Sequence, residues 1–120
     1  MQKNNIGMYG ERCVARFLRD KGYKILSANY RTRLGEIDII ACDSKYIMFV
    51  EVKTRGENSI ALPREFVDNS KQKKIISTAN IYMSTYNTEL QPRFDVAEVY
   101  LDKKGKLKEI NYIDNAFDCD

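Results

Sequence analysis

The sequence predicts an α/β domain, a mixed β-sheet flanked by helices in the order α-β-β-β-α-β-β. Three observations carry this. Apolar residues recur at helical spacing in two stretches, near residues 5–21 and 69–86. Short runs rich in Ile, Val, Phe and Tyr lie between and after them. The only two prolines, Pro63 and Pro92, stand at element boundaries. At 120 residues, with no repeat or linker, the chain reads as one domain, 1–120.

The first helix spans about Asn5 to Lys21, and Gly22 supplies its stop. Its apolar stripe is Met8, Val14, Ala15 and Leu18. Glu11 precedes Val14 and Ala15 by three and four residues, so this acid shares the core-facing stripe, where it needs a partner. Three strands follow, Tyr23–Tyr30, Glu36–Cys42 and Tyr46–Thr54. The third is apolar up to Glu51 and reads as a central strand buried on both faces. The polar link Asp43-Ser44-Lys45 makes a hairpin of the second and third. Residues 55–63 read as a loop. The second helix, Asn69–Tyr86, is capped by Asp68 or Asn69 and has the stripe Ile75, Ile76, Ala79 and Met83, with Gln72 on the same side. A strand at Phe94–Leu101, a turn at 102–106 and a last strand near Ile110–Ile113 complete the order.

Composition narrows the function classes. Fractions of 43% hydrophobic and 31% charged residues belong to a globular chain. No apolar run approaches the ~20 residues of a membrane span. Met1–Tyr9 is polar and lacks a secretory core, so a cytoplasmic setting is expected, with Cys13, Cys42 and Cys119 as reduced thiols. The chain has no histidine, which excludes Ser-His and Cys-His catalysis and histidine-ligated metals within it. Acid-base or metal chemistry must use carboxylates, with lysine as cationic helper. Residues 1–34 hold eight basic and two acidic side chains, residues 35–70 four and seven, and residues 71–120 eight of each. A basic N-terminal third beside an acidic middle suits a polyanion held near a cation; it also suits a solvated helix face.

Three charges interrupt strands that should be buried: Asp38 between Ile37 and Ile39, Glu51 between Val50 and Val52, and Lys53 two residues on, on the face of Glu51. If Ser44-Lys45 is a two-residue loop, Asp43 opposes Tyr46 and Asp38 opposes Glu51, about 4.5–5.5 Å apart at Cβ. Carboxylates that close repel unless a cation sits between them, and hard oxygen ligands select Mg²⁺ or Mn²⁺. A one-residue slip puts the acids on opposite faces. Lys53 can stabilise charge on a phosphate oxygen, Glu11 can complete the cage, and Gln72 and Lys71 can orient water or touch phosphate. Each charge taken alone is also explained by a structural ion pair.

Asp38 with Glu51-Val52-Lys53 resembles the PD-(D/E)XK nuclease signature. The longer string is similar to the YraN family of small bacterial proteins: Gly10-Glu11, Gly22-Tyr23, Asn29-Tyr30-Arg31, Gly35-Glu36-Ile37-Asp38, Phe49 to Arg55, Lys71-Gln72 and Arg93-Phe94-Asp95-Val96. The resemblance implies a restriction-endonuclease-like core, as in Holliday-junction resolvases. It implies Glu11, Asp38 and Glu51 as metal-site acids, Lys53 as catalytic lysine and Gln72 as the polar residue of the second helix. Gly35 is expected to serve a tight approach, and Arg93 and Asp95 to be structural.

The leading expectation is a metal-dependent nuclease acting on nucleic acid, DNA before RNA and branched DNA included. Asp38, Glu51, Lys53 and Gln72 would form its catalytic set. Glu11, Asp38, Glu51 and the Val52 carbonyl would hold Mg²⁺ or Mn²⁺. Arg12, Arg16, Arg19, Arg31, Arg33, Arg55 and Lys71 would meet phosphates. The competing expectation is a non-catalytic nucleic-acid-binding or adaptor module. A homodimer through Ile81, Tyr82 and Tyr86 is the lesser reading beside a core role for the same residues.

Overall fold

The computed structural model describes residues 5–56 and 67–118. Its elements are α1 (Asn5–Asp20), β1 (Lys24–Thr32), β2 (Gly35–Cys42), β3 (Tyr46–Arg55), α2 (Asn69–Tyr86), β4 (Gln91–Leu101) and β5 (Leu107–Phe117). The expected order holds. One five-stranded sheet runs β1-β2-β3-β4-β5. β3 and β4 are parallel and all other neighbours antiparallel, because α2 carries the chain from the end of β3 back to the start of β4. No helix among the described residues is long and apolar enough to cross a membrane.

Side chains alternate along the strands and build two cores, one on each face. On the α1 face Val14 and Leu18 pack with Ile39, Ala41, Met48, Val50, Ala97 and Val99. On the α2 face Ile75, Ala79 and Tyr82 pack with Ile40, Ile47, Phe49, Phe94 and Val96. With both faces covered, β3 is continuously apolar from Ile47 to Val50.

Local signals explain the boundaries. α1 ends in paired bonds, Tyr23 N–H to the Leu18 carbonyl and Gly22 N–H to that of Arg19. Asp68 caps α2 by accepting from the Lys71 N–H at 2.8 Å, and Asn87 closes it in the left-handed region. The Asp43 carboxylate accepts from the N–H groups of Lys45 and Tyr46 at 2.8 and 2.7 Å, replacing the glycine a tight hairpin ordinarily uses.

Several expectations shift. Met8 is exposed, so the buried stripe of α1 is Gly10, Glu11, Val14 and Leu18. The buried face of α2 is Ile75, Thr78, Ala79 and Tyr82, with Ile76 and Met83 only partly covered. Tyr82 belongs to the core, edge-on to Tyr30 and Phe49, and the exposed Tyr86 packs on it with centroids 4.5 Å apart. Arg55 ends β3 and does not begin a loop; Pro63 and Cys119 lie outside the described residues. β5 is much longer than Ile110–Ile113. As an edge strand it needs little apolar content, so pattern alone shortens it.

Candidate functional site

The Asp43 hairpin sets the register. Backbone pairs run from Cys42 with Ile47 to Ile39 with Val50. One further step aligns Asp38 with Glu51, and there the ladder stops. The Val52 N–H is taken instead by Asp38 Oδ2 at 2.8 Å. Strict alternation also fails at this point. Ile37 joins the α2-side core and Ile39, two residues on, the α1-side core. The strand is therefore rotated at Asp38, and its carboxylate enters the gap where β2 and β3 part. The Val52 carbonyl shares that edge of β3 with its N–H, since one strand residue presents both groups to the same side.

Glu51 continues the alternation onto the α2 face. It is buried, hydrogen-bonded to Asp38, and borders a shallow recess lined by Glu36, Ile37, Asp38, Val50 and Ile75. Burial pushes its carboxyl up to about 8, helped by the hydrogen bond and charge of Asp38 and opposed by Lys71. Lys71 Nζ stands 2.8 Å from Glu51 Oε2. That oxygen is buried, and among the described residues this contact from Lys71 is the one made to it. Two carboxyls in one gap cannot both ionise cheaply; a shared proton or an added cation relieves them.

Lys53 is half-buried two residues along, on the same strand face as Glu51. Glu11 is buried, but on the stripe of Val14 and Leu18, which covers the other face of the sheet. α1 approaches β3 closely because residue 10 is glycine: a Cβ there would lie 1.9 Å from Thr54 Oγ1. Gly35 similarly admits α2, with Thr78 Oγ1 3.0 Å from the place of its Cβ. Gln72 donates its side-chain amide to the Val67 carbonyl at 2.7 Å, so its contact is with the segment entering α2.

The basic residues are spread over several elements. Arg12, Arg16 and Arg19 are exposed on α1, across the sheet from Lys71 on α2. Arg31 and Arg33 stand at the β1–β2 hairpin, where Arg31 pairs with Glu36 at 3.1 Å. Arg55 is half-buried at the end of β3.

Two further buried acids lie on β4; sequence reasoning named Asp95 as structural and missed Glu98. Asp95, fully buried, accepts three contacts from Arg93 (2.9–3.3 Å), the Tyr112 hydroxyl and the Asn115 N–H. That network anchors the irregular stretch of β5 and supports the structural expectation for Arg93 and Asp95. Burial and the Asp95 carboxylate raise the Tyr112 hydroxyl above its usual range. Glu98, also buried, accepts from the Asn111 amide at 2.7 Å and is paired in register with Lys53. A charge inside Val96-Ala97-Glu98-Val99 was the available signal.

Among the described residues no three His, Cys, Asp or Glu side chains are grouped as metal ligands. The donor set at the gap nevertheless suits a hard divalent cation, because Mg²⁺ is commonly held by only one or two carboxylates, with water and phosphate completing its shell. Glu51 Oε2, buried and met among the described residues by the ammonium of Lys71 alone, is the oxygen such an ion would take over.

Comparison with known proteins adds the following. Residues 10–99 match the family described as Uncharacterised protein family UPF0102. A UPF0102 protein of Caldanaerobacter subterraneus subsp. tengcongensis is 46% identical over 119 residues, 98% of each chain. One from Clostridioides difficile is 46% identical over 118 residues, 98% of this chain and all of its own. One from Dictyoglomus thermophilum is 40% identical over 118 residues with the same coverage.

Proposed function

The chain belongs to the uncharacterised protein family UPF0102, and we propose that it is a metal-dependent nuclease on a restriction-endonuclease-like core, hydrolysing phosphodiester bonds of DNA, branched DNA included. The observation that carries this reading is the meeting of Asp38 and Glu51 where β2 and β3 part, with Lys53 two residues along the same strand. A structural network readily explains a buried pair of opposite charges; two carboxyls in one gap need a shared proton or a cation between them.

Asp38, Glu51 and the Val52 carbonyl would hold the ion. When bound, Mg²⁺ or Mn²⁺ supplies Lewis acidity to the phosphate and lowers the pKa of water. Lys53 places positive charge beside the phosphate oxygens as water adds to phosphorus and the bond to the leaving sugar oxygen breaks. Gln72 fixes the first turn of α2 through Val67, and so positions Lys71. The exposed arginines of α1 and the β1–β2 hairpin contact phosphates and carry no base recognition. Glu11 lies on the buried stripe of α1, on the other face of the sheet.

The test is incubation of the protein with branched, flapped and single-stranded DNA in Mg²⁺ or Mn²⁺. The proposal predicts cleavage that requires the metal and is lost in Asp38→Ala and Glu51→Ala; unchanged cleavage by either variant defeats it. A second reading, a non-catalytic nucleic-acid-binding or adaptor module, draws on Lys71 already neutralising Glu51. Salt-sensitive DNA binding without metal-dependent turnover identifies that case.

A further inference from the structure

We infer that Lys71 is a tethered counter-ion that links metal loading to phosphate binding: its ammonium rests on Glu51 in the free protein, and moves to a nucleic-acid phosphate when a divalent cation takes its place. This rests on the metal-site reading of Asp38 and Glu51.

The asymmetry of the pair is the first support. The Glu51 side chain is 9% exposed and that of Lys71 50%, so one partner is fixed and the other has room to swing. The second is the nature of the contact. Lys71 Nζ reaches Glu51 through a single contact, 2.8 Å to Oε2, at the tip of a four-carbon stem. The third is the anchoring of the backbone. Asp68 accepts the Lys71 N–H, the Gln72 N–H bonds the Asp68 carbonyl, and the Gln72 side chain bonds the Val67 carbonyl. Only the flexible side chain is left to move, and it stays tethered beside the gap.

An ammonium and a divalent cation cannot share one carboxylate oxygen without strong repulsion. Metal entry therefore expels Lys71, and a phosphate arriving at the metal gives the ammonium a new partner. By linkage, phosphate must then tighten metal binding and metal must tighten phosphate binding, by the same factor.

The experiment is Mn²⁺ titration of the full chain at fixed pH and ionic strength, following free Mn²⁺ by electron paramagnetic resonance. Wild type, Lys71→Met and Glu51→Gln are compared, each with and without an uncleavable phosphorothioate oligonucleotide; circular dichroism confirms that each is folded. Lys71→Met keeps the side-chain stem and removes the charge. Without oligonucleotide it should bind Mn²⁺ about tenfold tighter than wild type, a change of about 1.4 kcal/mol. Oligonucleotide should tighten Mn²⁺ binding to wild type by a larger factor than to Lys71→Met. Equal or weaker binding by Lys71→Met, with binding still lost in Glu51→Gln, overturns the inference and leaves the metal site standing. Equal tightening of both proteins by oligonucleotide also overturns it. Absence of Mn²⁺ binding in every protein removes the metal site and the inference together.

Discussion

Asp38 accepts the backbone N–H of Val52 at 2.8 Å, a bond that a main-chain carbonyl would make in an unbroken ladder. The acid thus stabilises the place where two strands separate and holds a charge there. Removing it leaves a partly buried donor without its acceptor, at a cost of about 1 kcal/mol. Asp38→Ala should be less stable than wild type by that amount in urea unfolding, and Asp38→Asn, whose amide oxygen can still accept, by less. Equal stability of Asp38→Ala and wild type would show that the bond contributes nothing.

The pH dependence of stability follows from Glu51. Its carboxyl is raised to about 8 from an ordinary 4.5, chiefly by burial and then by Asp38. Between those values the folded protein keeps a proton that the unfolded chain has released. The metal-free protein must therefore lose stability as pH rises from about 4.5 through about 8. Glu51→Gln removes this dependence. Urea midpoints of the two proteins should lie a fixed distance apart below the lower value and diverge above it, with the variant gaining. Midpoints that run parallel across the whole range contradict the assignment.

Asp95 provides a contrast, being a buried acid with every neighbour matched. Arg93, Tyr112 and Asn115 all point at it. Asp95→Ala strands the Arg93 charge in a half-buried setting and should cost about 3–5 kcal/mol. Thermal unfolding measures the loss. Folded Asp95→Ala protein should retain the Mn²⁺ affinity of wild type, because the network lies on the α1 face, across the sheet from Glu51.

Gly10 sets the height of α1 above β3. A methyl group at 1.9 Å from Thr54 Oγ1 has to move the helix or the threonine. Gly10→Ala should lose about 1–3 kcal/mol, the usual cost of overpacking. The double variant with Thr54→Ala should recover part of that loss in the same chemical-denaturation assay, since the nearest clashing atom is gone; additive losses would place the effect elsewhere.

The readable parts of the sequence were those governed by short-range chemistry. Asp43-Ser44-Lys45 fixed the β2–β3 register because the Asp43 side chain serves both turn N–H groups, and from that register Asp38 meets Glu51. The inward Glu11 was visible from helical spacing. Unreadable parts depended on three-dimensional neighbours. Periodicity placed Glu11 on a core stripe and could not say that the stripe lies across the sheet from Lys71. It chose Ile76 and Met83 for the buried face of α2, while the crossing over Gly35 turned Thr78 and Tyr82 inward. The Lys71–Glu51 contact joins residues 20 positions apart through a side-chain rotamer, which leaves no trace in a pattern.

The most direct check on the paired acids is anomalous diffraction from crystals soaked in MnCl₂. A single strong peak between the Asp38 and Glu51 carboxylates, with oxygens at ~2.1 Å and Lys71 moved off Glu51, is the predicted result. Crystals in which that gap stays empty, Lys71 still on Glu51, while Mn²⁺ occupies another cluster would contradict it.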